Sequence, residues 1–157
     1  MNSSELLSTE YPEYFGLYIG KVGSVNLLEG LEKGMHNAID FWESIATYKL
    51  EYSYAEGKWT IKDIIQHVID TERIFINRAL RYARKDETAL PGYDEDYFAA
   101  SSNANTRSIE DLIEEYKTVR ISMLTLFKSF TQEMLVRSGN GMSVRSIAFI
   151  MIGHVIH

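Results

Sequence analysis

Three of the four histidines combine a residue type and a spacing that suit metal chemistry. His154 and His157 form an H-x-x-H pair in the apolar segment VRSIAFIMIGHVIH, and His67 lies in the amphipathic segment GKWTIKDIIQHVIDTER. Residues three apart lie about 60° from each other around a helix, so the two imidazoles of the pair can approach one point. Histidine binds divalent metals readily. A buried histidine is also often a satisfied core residue, and the residues alone leave both interpretations open.

Glu72 raises a separate question, because helical geometry places it in the middle of the apolar face that His67 only borders. A carboxylate in such a position is costly unless it is paired or hydrogen-bonded. We therefore predict that Glu72 accepts a hydrogen bond from a tyrosine or forms a salt bridge with an arginine such as Arg73, Arg120 or Arg145. A role for Glu72 as a catalytic base is the weaker alternative.

Asp70 and His36 are two further polar residues on predicted helices. Asp70 follows His67 by about one turn and is a candidate to orient its imidazole, as carboxylates often do for metal ligands. His36 lies at the margin of the first apolar face, between Glu32 and Asp40, and is predicted to be a surface residue.

Composition limits the function classes. The chain has 157 residues, a formal net charge of -6 and no stripe of Lys or Arg, which disfavours nucleic-acid binding. No apolar stretch is long enough for a membrane span and the first residues do not resemble a signal peptide, so a cytoplasmic location is expected. With no cysteine, any metal must be held by His, Asp or Glu, and any thiol must come from outside the chain.

Four long segments show helical periodicity, and no alternating run predicts a sheet. We predict one all-α domain over residues 1–157, a four-helix bundle with helices near 25–49, 60–84, 108–130 and 143–157. A capping box at Thr60 and Asp63 marks the start of the second helix. The N-terminal strap, residues 8–23, is aromatic and interrupted by glycines, and is predicted to pack irregularly over the bundle.

The connection between the second and third helices, KDETALPGYDEDYFAASSNANT, is longer than bundle connections usually are. A loop of this length can span a helix of about 37 Å, so the second and third helices are expected to run parallel. The acidic residues 94–96 in this connection lack the spacing of a calcium loop, and we predict no metal-binding role for them.

The segment EGKWTIKDIIQHVIDTERIFINRALRYARKDETALPGYDEDYF resembles the core of the DinB/YfiT-like superfamily of metal-dependent enzymes, and GHVIH resembles the start of its C-terminal histidine motif. The resemblance covers nearly the whole chain. It implies an up-down-down-up four-helix bundle, often a homodimer, with three histidines around a divalent metal at one end.

By this resemblance His67 is the first metal ligand and His154 the second. The family's third ligand usually follows the second by four residues, which is position 158, one beyond the last residue given. Two expectations follow: either His157 is the third ligand, or the given chain stops just before it. Zn and Ni are the metals expected, and the imidazole ligands do not choose between them.

The resemblance implies a metal-dependent enzyme acting on a small molecule, either a hydrolase or an S-transferase that uses a low-molecular-weight thiol. The alternative hypothesis is a non-enzymatic dimeric bundle that binds a small apolar ligand or a protein partner through its aromatic residues, Tyr11, Tyr14, Phe15, Tyr93, Tyr97 and Phe98. A di-iron bundle is disfavoured because no paired Glu-x-x-His motifs occur.

Overall fold

The computed structural model describes residues 1–157 and contains seven helices and one short hairpin. Four long helices form the bundle, and three shorter ones lie in the strap and in the connections. The helices are α1 (Gly16–Ile19), α2 (Leu27–Glu43), α3 (Ile61–Ala83), α4 (Glu95–Ser101), α5 (Ile109–Lys128), α6 (Gln132–Leu135) and α7 (Val144–Ile156). The predicted all-α bundle is therefore confirmed.

The long helices begin where the sequence places capping residues. At the start of α3, the Thr60 hydroxyl accepts the Asp63 N–H at 3.1 Å, and the Asp63 carboxylate accepts the Thr60 N–H at 2.9 Å. This reciprocal capping box was predicted and satisfies two backbone donors that the helix itself leaves free. Ser108 and Ser143 cap α5 and α7 with one hydrogen bond each.

Helices α3 and α5 run parallel. Gln66 near the start of α3 accepts a hydrogen bond at 2.7 Å from Arg107, which immediately precedes α5. One or two turns further along both helices, Arg73 forms an ion pair with Glu115. Residue numbers therefore increase together along the two helices, as the long connection predicted.

The other pairings complete the topology. Helices α2 and α7 are parallel, because Gly30 lies against Ile152 and Gly34 against Val155. Helix α2 is antiparallel to α5, since the Trp42 ring contacts Tyr116 near the start of α5 whereas residues earlier in α2 contact its middle. The four bundle helices α2, α3, α5 and α7 therefore run up, down, down and up.

Three local features differ from the sequence prediction. The first bundle helix ends at Glu43 rather than near 49, and Thr47–Lys49 forms a separate 3-10 turn. The connection between α3 and α5 contains the helix α4, which the sequence analysis treated as loop. The turn before α7 is a two-stranded antiparallel hairpin, β1 (Ser138–Gly139) and β2 (Met142–Ser143).

Helix α7 is the most enclosed element of the bundle. It is apolar on all sides, and every residue from Ser146 to Gly153 is buried. An all-round apolar helix must be covered on every face. Helices α2 and α3 cover two faces and the strap helix α1 covers another, so the strap completes the core. No helix of the chain has both the length and the apolar character needed to cross a bilayer.

Candidate metal centre

Two of the predicted metal ligands meet at the contact between α3 and α7. The Nε2 atoms of His67 and His154 lie 3.3 Å apart, although the residues are 87 positions apart in sequence. Without a metal, this distance permits one hydrogen bond, with one imidazole as donor and the other as acceptor. Two nitrogens bound to one tetrahedral zinc ion at about 2.0–2.1 Å lie about 3.3–3.4 Å apart. The observed separation therefore fits two ligands of one metal.

Burial keeps both imidazoles neutral. It lowers the pKa of His154 to about 3, and the neighbouring His67, His157 and Arg120 lower it further. Burial also lowers the pKa of His67, against the opposing effect of the carboxylates of Glu95, Asp70 and Asp96. Neutral imidazole is the form that binds a metal, so the lone pairs are available at neutral pH.

An aromatic ring packs against each of the two imidazoles. The Trp59 ring centre lies 4.8 Å from that of His67, and the Tyr18 ring meets His154 edge-on at 5.1 Å. Tyr18 comes close because α7 has Gly153 at this point: a Cβ there would overlap the Tyr18 carbonyl oxygen. The Nδ1 atom of His154 is buried without a hydrogen-bond partner, so packing rather than a hydrogen bond at Nδ1 orients the ring.

The third predicted ligand does not join the pair. His157 is exposed, and its ring packs edge-on against Tyr18 at 5.3 Å. No group of three or more His, Asp or Glu side chains is close enough to hold a metal ion. The structure thus brings two of the three predicted ligands together.

The other candidate residues have identifiable partners. Asp70 accepts a hydrogen bond from Gln66 at 3.0 Å, and this bond directs its carboxylate along α3 rather than to the ring of His67. His36 is exposed on α2, as predicted.

Glu72 is fully buried and pairs with Arg120, one of the three arginines that the sequence offered. The Arg120 Nε lies 3.0 Å from each carboxylate oxygen, and Nη2 also contacts Oε1. Arg120 donates further to the Leu31 carbonyl at 3.3 Å and lies 3.5 Å from that of Met151. Glu72 thus has a charged partner in the core and lines neither of the two cavities described below, in agreement with the structural interpretation.

The histidine pair opens into a cavity of about 200 Å³, the histidine cavity. One stripe of α3, at spacings of four, four and three, supplies part of its wall: His67, Thr71, Phe75 and Arg78. The strap supplies Tyr14, Phe15 and Tyr18, and the long connection supplies Tyr93, whose hydroxyl lies 2.8 Å from that of Thr71.

A second, larger depression of about 780 Å³ lies beside the histidine cavity, between α4 and the segment before α3. This loop groove is lined by residues that include Tyr54, Lys58, Trp59, Asn103 and Asn105. Glu95 lines both depressions, and Trp59 of the groove packs on His67 of the cavity. A ligand in the groove therefore lies next to the histidine pair.

Several of these site residues were not singled out from the sequence. In the sequence, Trp59 and Tyr18 are typical of core aromatic residues, and Arg78 is typical of a surface charge on an amphipathic helix. A signal for Arg78 did exist, because it continues the helical stripe of His67 and Thr71. Nothing in the sequence indicated that Tyr18 of the strap would reach the last turn of α7. Of the six aromatic residues named for the alternative hypothesis, Tyr14, Phe15 and Tyr93 line the histidine cavity. Tyr11, Tyr97 and Phe98 do not line it, and Tyr97 is largely exposed.

Comparisons with known proteins agree with this architecture. The chain shares its fold with a solved structure described as "YfiT from Bacillus subtilis is a probable metal-dependent hydrolase with an unusual four-helix bundle topology". The TM-score is 0.69 and the identity 15%, over 97% of this chain and 85% of that one. No curated protein matches the chain significantly. The family model of the DinB superfamily matches residues 31–157, which include both histidines of the pair, and the chain belongs to that superfamily.

Proposed function

We propose that this protein is a divalent-metal-dependent enzyme that acts on a small molecule, with His67 and His154 as metal ligands. The observation that carries the proposal is the 3.3 Å separation of the two Nε2 atoms in a cavity. Burial lowers the pKa of both imidazoles, and the Nε2 atoms of both face the same point. The Glu72–Arg120 pair, by contrast, uses up its hydrogen-bonding groups on each other and on backbone.

His157 is proposed as the third ligand. It lies on the same helix end as His154, and its ring packs on the same Tyr18 ring. Because His157 is exposed, its side chain has room to change rotamer toward the pair. Three histidine ligands leave a position open on the metal, as in catalytic zinc sites.

A metal bound here would supply Lewis acidity and lower the pKa of a bound water. The chain's own residues do the rest. Trp59 and Tyr18 hold the imidazoles in place, and the strap and the long connection narrow access of bulk water to the cavity. The hydroxyls of Thr71 and Tyr93 bond to each other at the cavity wall and are positioned to hydrogen-bond a substrate.

Hydrolysis is the reaction class we favour, because the structural neighbour YfiT is described as a probable metal-dependent hydrolase. Thiol-dependent S-transfer is the second candidate. The chain has no cysteine, so the thiol in such a reaction would be an external substrate. Hydrolysis of 4-nitrophenyl acetate and reaction of cysteine with monochlorobimane, each with and without added zinc or nickel, distinguish the two classes.

Metal titration tests the proposal directly. Calorimetry with zinc and with nickel is expected to give one ion per chain. Changing His67→Ala or His154→Ala should weaken binding at least 100-fold, since loss of an outer-shell partner alone costs about 10-fold to 100-fold, and His157→Ala should weaken it about 10-fold, because His157 must change rotamer to reach the metal. His36→Ala is the matched control, because His36 is an exposed histidine on another helix, and should leave binding unchanged.

Two results would refute the metal site: no stoichiometric metal in the unaltered chain, or equal effects of His36→Ala and His67→Ala. A chain with one histidine appended after His157 tests the four-residue ligand spacing. Tighter metal binding by that chain, together with no effect of His157→Ala, would assign the third ligand to the appended position.

The alternative, a non-enzymatic bundle that binds an apolar ligand, draws on the aromatic lining of the histidine cavity by Tyr14, Phe15 and Tyr93. It predicts ligand binding that does not depend on His67 or on metal. The homodimer also stays a prediction, which sedimentation velocity checks.

A further inference from the structure

Arg78 is distinguished from most other arginines of the chain by its lack of a carboxylate partner. Ion pairs with Asp or Glu are formed by the arginines at six positions: Arg73, Arg81, Arg107, Arg120, Arg137 and Arg145. Arg84 also lacks one, but it lies over the Phe130 ring and contacts Met134, away from the histidines. Of Arg78 and Arg84, only Arg78 lines the histidine cavity.

The guanidinium of Arg78 is held in place but keeps most of its donors free. Its centre lies 4.8 Å from the Phe75 ring centre, a cation–π contact. Its one hydrogen bond is a long one, 3.4 Å from Nη2 to the Pro91 carbonyl. A guanidinium has five N–H donors, and a carboxylate can accept two of them side by side.

Arg78 also faces the histidine pair along the length of the cavity. It follows His67 by eleven residues, about 16 Å along the axis of α3. Helical side chains lean toward the N-terminus of their helix, and the contact with Phe75 shows that Arg78 does so. Its guanidinium therefore lies on the histidine side of its own Cα along α3, and Phe15, Phe75 and Met151 line the cavity that Arg78 shares with the histidine pair.

We infer that Arg78 binds the carboxylate of a small substrate and directs the other end of that substrate to His67 and His154. This inference rests on the proposed function, and it adds the substrate class: a monocarboxylate with an apolar middle. The apolar side chains of the cavity suit an apolar middle, and Arg78 supplies the charge that the carboxylate needs. Glu95 lines the same cavity, and its negative charge disfavours a dianion such as a phosphate monoester or a dicarboxylate.

A binding experiment in the metal-free protein tests the inference separately from the metal site. The probe is 3-phenylpropanoate, and 3-phenylpropanamide is its neutral counterpart of nearly the same shape. Calorimetry should show that the carboxylate binds more tightly than the amide by about 10-fold to 100-fold, the range for a hydrogen bond to a charged group. Arg78→Gln should remove this preference, and Arg78→Lys should retain part of it.

Arg84→Gln is the matched control, because it removes the other arginine without a carboxylate partner. It should leave the preference unchanged. Glu95→Gln should strengthen binding of 3-phenylpropanoate and admit succinate, which the unaltered chain should bind poorly. Thermal unfolding of each variant identifies any loss of binding that comes from loss of the fold, and Arg78→Met, which keeps the packing on Phe75, then replaces Arg78→Gln.

The inference is overturned if the unaltered chain shows no preference for the carboxylate, or if the preference survives Arg78→Gln. It is also overturned if Arg84→Gln lowers the preference as much. Zinc titration of Arg78→Gln separates the two proposals. A normal metal stoichiometry without carboxylate preference leaves the metal site standing and removes the role of Arg78. If the chain binds no metal but still prefers the carboxylate, the role of Arg78 stands and the metal site is removed.

Discussion

Two polar pairs between helices, one buried and one partly buried, are built in opposite ways. Glu72 and Arg120 join α3 to α5, carry opposite charges and use up their hydrogen-bonding groups on each other and on backbone carbonyls. His67 and His154 join α3 to α7, are both uncharged, and leave the Nδ1 atom of His154 without a partner. The first pair is enclosed in the core and the second opens into a cavity.

The difference shows how a polar group in a core can be assigned to structure or to function. A charge pair whose donors and acceptors match can hold two helices in register and needs nothing more. Two imidazoles that face each other through the same kind of atom satisfy at most one hydrogen bond and gain more from an ion or a ligand. Glu72 and His67 lie less than two turns apart on one helix. The residue that each one meets on the neighbouring helix therefore decides whether its role is structural or functional.

The largest expected effect comes from breaking the enclosed pair. Arg120→Met leaves the Glu72 carboxylate buried without a cation, and the free energy of unfolding should fall by about 3–5 kcal/mol. Urea unfolding followed by circular dichroism measures it. The double variant Arg120→Met with Glu72→Leu should recover most of the loss, because no charge then remains in the core. A single variant within about 1 kcal/mol of the unaltered chain would contradict the assignment.

Gly153→Ala should have the next largest effect and act on the histidine side alone. The new Cβ overlaps the Tyr18 carbonyl oxygen, so the strap must move, at a cost of about 1–3 kcal/mol. Thermal and urea unfolding report the cost, and the near-ultraviolet circular dichroism of tyrosine reports the movement of Tyr18.

Gly34→Ala is the control for this change. Its Cβ would meet its nearest neighbours, in Arg120 and Val155, at ordinary distances of 3.8 and 4.0 Å. Stability should stay equal or rise by up to about 1 kcal/mol, since alanine favours helix over glycine. If both glycine variants lost the same stability, close packing of the strap on α7 would not be the cause.

The pH dependence of stability should come from the histidine pair. The pKa of His154 is about 3 in the folded chain and about 6.5 when unfolded. At pH values between these two pKa values, the unfolded chain binds more protons than the folded chain. The free energy of unfolding therefore falls as the pH decreases below about 6.5. The metal-free protein should lose roughly 1–2 kcal/mol between pH 7 and pH 5. Urea unfolding at both values measures it, and His154→Gln should flatten the dependence; an unchanged slope would exclude His154 as its source.

The smallest stability effect is expected at His67. In the metal-free protein, His67→Gln removes at most one neutral hydrogen bond, so the free energy of unfolding should change by about 1 kcal/mol or less. The measurement is urea unfolding in the presence of EDTA, beside Arg120→Met under the same conditions. A loss as large as that of Arg120→Met would show that the histidine pair is structural after all.

Local patterns were enough to predict much of the fold. The capping box at Thr60 and the apolar periodicity around it gave the start of α3 to the residue, because caps depend on neighbours three positions away. The end of α2 and the existence of α4 were missed. Helix ends without glycine or proline and seven-residue helices carry too few local interactions to predict.

The candidate site was predictable only in part. The family resemblance named His67, His154 and His157 as ligands, and the sequence indicated that the partner of Glu72 was an arginine or a tyrosine. It could not choose Arg120, because that choice depends on the parallel alignment of α3 and α5, which brings residues 48 positions apart to one level.

By itself, the sequence determined the helical class, the four long helices, the parallel pair implied by the long connection, and the residue types available for metal binding. Only the tertiary structure decided that His67 meets His154, that Tyr18 and Trp59 support them, that His157 stays apart, and that Arg78 is left without a carboxylate. Periodicity and capping are local interactions that a sequence displays directly. The polar partnerships depend on helix register and on how the strap and the long connection close over the bundle, and these are properties of the packed chain.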